Sequence, residues 1–292
     1  MMKFVVFKSP KVWYKVILVL TVCFNCIFGS CSEIENEPVS YGFIEEEWLY
    51  KLTSAEFYGR KTGTEGCQKA ADFIFQELVE MGHTPYKEEF MFRESILMSN
   101  IIVEIPGNND SIVIIGAHYD GAVHSSKHQA ANDNASGIVT LLSIAKSVRE
   151  HNNTILLCFW DGEESTNGTA FNGSRYFVEH FEYLDRVKWY CNIDCCGSGV
   201  DPIYLYYSSE LEKTFNDEID LTGYPLDIIE KIQEQRSSDY VSFKNKDIPF
   251  WGWNDTNILK YIHTSKDSVS KISISKIQMI SHITIDLLKN KL

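Results

Sequence analysis

The chain has 292 residues, of which 44% are apolar and 23% charged, so it carries enough hydrophobic material for a packed core and does not read as disordered. Its formal net charge of −13 disfavours nucleic acid as a partner, because phosphate binding needs a basic surface. No internal repeat and no long Gly/Pro/Ser linker divides it, although its length leaves room for two domains of about 150 residues.

In chain order, the first feature is a leader. Lys3, Lys8, Lys11 and Lys15 are accompanied by no acidic residue, and residues 16–28 are then almost wholly apolar. That stretch is shorter than the roughly 20 residues a membrane span requires and reads as a secretory signal. Gly29-Ser30 before Cys31 resembles the lipobox of bacterial lipoproteins, in which the cysteine is lipidated and becomes the first residue. The expected division is a lipoprotein-type signal peptide over 1–30, a polar tether over 31–40 and one domain over 41–292. Loss of the leader makes the remainder four charges more negative, since it removes four lysines and no acid. Localisation is then expected to be extracytoplasmic, with the protein lipid-anchored in a bacterial cell envelope.

Residues 43–57 and 64–81 are predicted to be helices. In the second, Ala70, Ala71, Phe73, Ile74, Leu78 and Met81 recur at helical spacing and Gly82 stops the run. Residues 100–105 and 111–117 read as strands joined by Gly107-Asn108-Asn109-Asp110, which is turn chemistry. Residues 136–149 are helical, 154–160 (TILLCFW) form a strand covered on both faces, and 173–181 begin another helix. Strands follow at 187–193, 203–207 and 248–253, and a helix over 270–289 closes the chain. This alternation predicts an α/β sandwich around a mostly parallel sheet, with its site beyond the carboxyl ends of the strands.

Chemistry-bearing residues collect at those ends. The strand over 111–117 runs into His118-Tyr119-Asp120, that over 154–160 into Asp161-Gly162-Glu163-Glu164, and that over 187–193 into Asp194; Asp133 opens a helix and a loop delivers His263. Clustered carboxylates repel unless a cation neutralises them, and imidazole with carboxylate suits zinc. Taken singly, each residue also has a plainer reading: His118 and Asp120 as a surface pair, Asp133 as a helix N-cap, Glu163-Glu164 as a solvated turn. Five cysteines beyond Cys31 are too odd a set for a disulfide framework, and Cys191, Cys195 and Cys196 lack the CxxC spacing of a metal or redox motif. Phe250, Trp251 and Trp253 either line an apolar pocket or belong to a buried strand.

The whole pattern resembles the co-catalytic zinc aminopeptidases, a family that also contains the glutamate carboxypeptidase and transferrin-receptor branch and the glutaminyl cyclases. The matching stretches are Gly59-Arg60-Lys61-Thr62-Gly63-Thr64-Glu65-Gly66, Ala70-Ala71-Asp72-Phe73-Ile74, IGAHYDG at 115–121, ANDNASG at 131–137, DGEE at 161–164, Gly173-Ser174, NID at 192–194 and HTSKDS at 263–268. The resemblance implies a three-layer α/β sandwich of the zinc-dependent exopeptidase type and peptide substrates with a free N-terminus. It further implies one zinc held by His118 and Asp194, a second held by Glu164 and His263, and Asp133 bridging the two, with the peptide bond after Asp133 cis. By the same resemblance, Glu163 is the general base and acid acting with a hydroxide between the metals, Asp120 orients His118, and Asp267 supports the His263 loop.

Two departures from the family pattern stand out. Ile262 occupies the position before the last histidine where relatives often carry Tyr, leaving Tyr240 or Tyr261 as substitutes or as packing residues. The segment between Cys195 and Gln235 is too short for the inserted domain of the carboxypeptidase branch. A glutaminyl-peptide cyclotransferase using a single zinc on Asp133, Glu164 and His263 is the alternative enzyme. A non-catalytic binding protein is a third reading, against which the intact Glu163 and ligand set argue.

Overall fold

The computed structural model describes residues 43–149, 151–164, 168–224, 228–231, 237–255 and 260–290. The leader, Cys31 and the tether expected from the sequence lie outside the described residues. Among the described residues no helix is long and apolar enough to cross a membrane.

Helices α1 (Ile44–Leu52) and α2 (Glu65–Glu80) precede a hairpin of β1 (Tyr86–Phe92) and β2 (Ile96–Ile105). Then come β3 (Ile112–His118), α3 (Ser136–Ser147), β4 (Thr154–Trp160), α4 (Asn172–His180), β5 (Val187–Ile193), β6 (Ile203–Tyr207) and β7 (Ile228–Lys231). The short α5 (Tyr240–Lys244), β8 (Phe250–Asp255) and α6 (Ile274–Asn290) complete the order. The strands form one sheet of order β1-β2-β4-β3-β5-β8-β6-β7. Its centre, β4-β3-β5-β8, is parallel, whereas β1, β2 and β6 join antiparallel to their inner neighbours. The fold is therefore a mixed α/β sandwich with a parallel heart.

Strand alternation sorts the core into two layers. Val113, Ile115 and Ala117 of β3 and Ile155, Leu157 and Phe159 of β4 face α1, α2, α3 and α6. Ile112, Ile114, Leu156, Cys158 and Trp160 face the opposite way, against Phe177 and Val178 of α4 and Phe243 of α5. Each buried Val, Leu, Ile or Phe among these contributes roughly 1.5–3 kcal/mol through loss of apolar surface from water. Helix α3 is buried for ten consecutive residues from Ser136 to Ala145, because it lies between the sheet and α6. The loop feeding its first turn, which carries Asp133, is thereby held deep in the protein.

Several expectations change in detail. The first helix stops at Leu52 rather than reaching 57, because Ser54 is extended (φ −67°, ψ 153°); a separate short turn over Ala55–Arg60 follows, in which Tyr58, Gly59 and Arg60 take left-handed backbone angles. Gly59 is required there: a Cβ would lie 2.2 Å from the Val123 carbonyl oxygen. The edge strand β1 (YKEEFMF) escapes sequence reading because an edge exposes most of its side chains and tolerates charge. Among the described residues, Phe250, Trp251 and Trp253 belong to a buried strand. β8 is paired on both sides, so its aromatic residues are buried in the two core layers, at 3%, 0% and 0% exposure.

Candidate metal centre

The ends of β3, β4 and β5 place His118, the Glu163-Glu164 turn and Asp194 side by side, as parallel neighbours must. His118 is 1% exposed, and its Nε2 lies 3.3 Å from Asp133 Oδ1 and 3.4 Å from Asp194 Oδ1. On the other side of Asp133, Oδ2 lies 3.2 Å from His263 Nε2, which in turn is 2.9 Å from Glu164 Oε1. Asp133 thus divides its two oxygens between two donor clusters. Donors bound at about 2.0–2.1 Å to a tetrahedral ion sit roughly 3.3 Å apart, against 3.3 and 3.4 Å in the first cluster and 3.2 and 2.9 Å in the second.

A bound cation also accounts for atoms the protein leaves unsatisfied. His118 Nε2 and Asp194 Oδ1 are buried and make no hydrogen bond to the described residues, an arrangement costly without a partner. The donor set of imidazole and carboxylate therefore fits a divalent metal such as zinc.

The loop carrying Asp133 is stitched from several directions. The Asp133–Asn134 peptide bond is cis. The Asp267 carboxylate accepts from the consecutive amides of Asn132 (2.7 Å) and Asp133 (3.0 Å), so Asp267 joins the segment after His263 to this loop rather than serving the His263 segment alone. The Asn134 side chain accepts from Gly137 N and Cys195 N and donates to Ile193 O, which registers Asp133 against Asp194.

Asp120 has a wider part than orienting His118. Its carboxylate accepts from Glu163 N (3.0 Å), Glu164 N (3.1 Å) and Thr62 Oγ1 (3.0 Å). The ring nitrogen His118 Nδ1 is 3.3 Å from the Asp120 carbonyl and 3.4 Å from its carboxylate. The Glu163-Glu164 turn is further tied to α4, whose first amides donate to the carbonyls of Asp161, Gly162 and Glu163.

Electrostatics follow from crowding and burial. Burial, with the charges of Asp194, Glu164 and Asp239 beside it, raises the Glu163 carboxyl well above the usual carboxylate range, although His118 opposes this. Burial and the Asp133 charge push Glu164 up to about 7. Asp133 is the exception: burial would raise it, but the imidazoles of His118 and His263 beside it hold it well below the ordinary range. His263, 47% exposed at its side chain, is raised to about 10 by its bonds to Asp133 and Glu164.

Three residues beside the centre were not singled out as site residues from the sequence. Asp239, at the start of α5, is 1% exposed and neither of its oxygens has a hydrogen-bond partner among the described residues by ordinary geometry. Its sequence signal is the Ser238-Asp239-Tyr240 run, in which the Tyr240 ring stacks on Phe250 at 4.6 Å. Arg60 is 1% exposed and donates to the carbonyls of Leu52, Tyr119, Gln129 and Ala130. Thr62 reaches both Asp120 and Asp161.

The strands and helices thus form a three-layer sandwich with a twin cluster of His, Asp and Glu at its parallel strand ends. Residues 100–288 match Peptidase family M28, and the chain belongs to that family. Among curated relatives, a probable leucine aminopeptidase 2 of Aspergillus oryzae is 28% identical over 174 residues, 52% of this chain and 32% of that protein. Aminopeptidase Y of Saccharomyces cerevisiae is 27% identical over 225 residues, 65% of this chain and 38% of that one. The chain thus spans about a third of the length of these relatives. Among solved structures, a leucine aminopeptidase precursor from Bacteroides thetaiotaomicron superposes with a TM-score of 0.72 at 15% identity, covering 85% of this chain and 96% of that one. A glutaminyl cyclase from Porphyromonas gingivalis gives 0.71 at 18% identity, covering 84% and 96%. At such identities these likenesses establish the fold.

Proposed function

We propose that the protein is a zinc aminopeptidase that removes N-terminal residues from peptides with two metal ions. The observation that carries this reading is the division of Asp133 between His118–Asp194 and His263–Glu164. His118, Asp133 and Asp194 would hold one zinc, and Asp133, Glu164 and His263 the other. Bound there, zinc supplies Lewis acidity, polarising the scissile carbonyl and making water more acidic. Glu163, grouped with His118 and Asp194 within 4.8 Å, takes the proton of the attacking water and returns it to the leaving amine. Asp120 keeps Glu163 in place through the backbone amide it accepts. The crowding of carboxylates here (Asp133, Glu163, Glu164, Asp194 and Asp239) makes the site acidic, which supports a preference for the α-ammonium group of a free N-terminus. Export and lipid anchoring at Cys31 belong to the same proposal and rest on the leader; metabolic labelling with palmitate that is lost in Cys31→Ser tests them.

Metal analysis of residues 32–292 alongside a panel of aminoacyl substrates tests the enzymatic reading. Two zinc ions per chain with release of N-terminal residues is the expected result. One zinc with pyroglutamate formed from an N-terminal Gln peptide would instead establish the cyclotransferase, the activity named for a solved structure of the same fold. Intact metal binding without turnover of either kind would leave a binding protein.

A further inference from the structure

The spacing of Cys191, Cys195 and Cys196 along the chain gives no metal motif, yet the fold brings one of these thiols to the metal centre. Asp133, Asp194 and Cys195 offer two carboxylate oxygens and Sγ that all lie within 4.8 Å of one another. We propose that Cys195 is a further ligand of the ion held by His118, Asp133 and Asp194, giving that position a mixed nitrogen, oxygen and sulfur donor set. The proposal rests on the reading of this site as a metal centre and adds to it a donor outside the five-residue ligand set.

The thiol is held in place by its backbone. Cys195 N–H donates to Asn134 Oδ1 at 3.1 Å, next to Asp133 in the chain, and Cys195 O accepts from Asp255 N at 2.8 Å. Between these bonds Cys195 takes a left-handed conformation, φ 54°, which L-residues with a Cβ enter at a cost and which recurs where surrounding structure fixes a functional group. The side chain is 2% exposed, packed with Ile262, the residue before His263. Its setting is already aimed at a cation, since the neighbouring His118 Nε2, 1% exposed, and Asp194 Oδ1 make no hydrogen bond to the described residues.

Zn–S bonds of about 2.3 Å and Zn–O bonds of about 2.0 Å put sulfur and oxygen roughly 3.5 Å apart around one ion, so Asp133, Asp194 and Cys195, whose donor atoms lie within 4.8 Å of one another, close by roughly 1.3 Å at most to share it. On ligation a sulfur–metal bond forms and the thiol proton leaves to solvent, with no change of oxidation state. His118, Asp133, Asp194 and Cys195 then number four, the coordination number zinc prefers, and sulfur biases the position toward zinc, cobalt and cadmium over magnesium, calcium and manganese. The remaining described cysteines are placed otherwise: Cys158 and Cys191 lie in the two core layers, Cys196 Sγ contacts Thr140 Oγ1 at 3.5 Å, and Cys67 Sγ contacts Asp161 Oδ1 at 3.5 Å. They are present in any Cys195 variant and serve as internal controls.

The test is cobalt substitution of the purified full chain after removal of bound metal. Visible d–d bands report that cobalt is bound, and an intense near-ultraviolet sulfur-to-cobalt charge-transfer band reports a thiolate ligand. The expected result is both features in the wild type and loss of the charge-transfer band alone in Cys195→Ser. Visible bands without charge transfer, or a charge-transfer band that persists in Cys195→Ser, overturns the thiolate ligand and leaves the metal centre standing. Absence of both features overturns the centre as well. X-ray absorption of the zinc-loaded wild type needs no variant: a sulfur shell at about 2.3 Å supports the ligand, and a shell of nitrogen and oxygen only removes it.

Discussion

Glu163 and Glu164 are adjacent carboxylates with different surroundings, and the proposed aminopeptidase gives them different work. Glu164 bonds to His263 at 2.9 Å and so is tied into a donor cluster. Glu163 is raised well above the carboxylate range by burial and by Asp194, the direction that favours holding a proton, and in the proposed reaction it is the group that accepts and returns one. Glu163→Gln keeps the volume and removes the base. The turnover number is expected to fall roughly 10²–10⁴-fold with zinc content unchanged; steady-state kinetics with parallel metal analysis decides this, and a variant retaining most of its activity would assign the proton to another group. His263 supports a second prediction. In the metal-free protein Asp133 and Glu164 keep its imidazole protonated up to about 10, yet only the neutral ring can ligate. Its folded value lies above the unfolded one, so this contribution to metal-free stability is complete below about 6.5 and is lost as pH rises through about 10. Zinc must therefore displace a proton at neutral pH, and its apparent affinity rises with pH. Calorimetric titrations in buffers of different ionisation heat are expected to show net proton release, and no release would remove His263 from the ligand set.

At the scale of elements, the site is a set of strand ends drawn together by loops, and Asp120 is the join between two of them. Its carboxylate holds consecutive amides of the Glu163-Glu164 turn, so Asp120→Asn replaces an acceptor with an amide group that faces N–H donors. Zinc affinity is expected to drop by about 10–100-fold, the usual range for groups that position ligands, while Asp120→Glu, which retains the charge, restores part of it; competition against a chelator measures both. Strand ends of this kind were legible in the sequence because β3, β4 and β5 are continuous apolar runs that break sharply into His, Asp and Glu. The family resemblance added which of those residues belong together. What stayed hidden depends on neighbours in space. β1 is a strand only because β2 pairs with it, and Trp251 and Trp253 are core rather than pocket because β8 acquires a partner on each side. Asp239 and Cys195 are ordinary polar and thiol positions until α5 and the end of β5 set them beside the carboxylates.

For the molecule as a whole, the sandwich is shared with a leucine aminopeptidase precursor and a glutaminyl cyclase, so the fold alone assigns no activity, and the side chains held by the loops above the sheet carry that question. Arg60 integrates that layer. Its guanidinium, 1% exposed, donates to Leu52 O at the end of α1, to Tyr119 O between His118 and Asp120, and to Gln129 O and Ala130 O at the entrance to the Asp133 loop, at 2.7–3.0 Å. None of these acceptors is a carboxylate; the compensating charge comes from Asp267, Asp120 and Asp133 acting at longer range. The cation is thus coupled to folding through the carbonyls and to metal binding through the segments they belong to. Arg60→Met leaves several buried carbonyls without a donor, each costing about 1–3 kcal/mol, and a total loss of about 3 kcal/mol or more is expected in urea unfolding of the metal-free protein. Because the same bonds register His118 against Asp133, the additional stability conferred by zinc, which scales as RT ln(1 + [Zn]/Kd), is expected to shrink too. Arg60→Lys keeps the charge but lacks the planar fork that spans four acceptors, and falls between the two. A variant whose zinc-dependent stabilisation equals that of the wild type would confine Arg60 to the fold, whereas a loss below about 1 kcal/mol would mean that water replaces the guanidinium at these carbonyls.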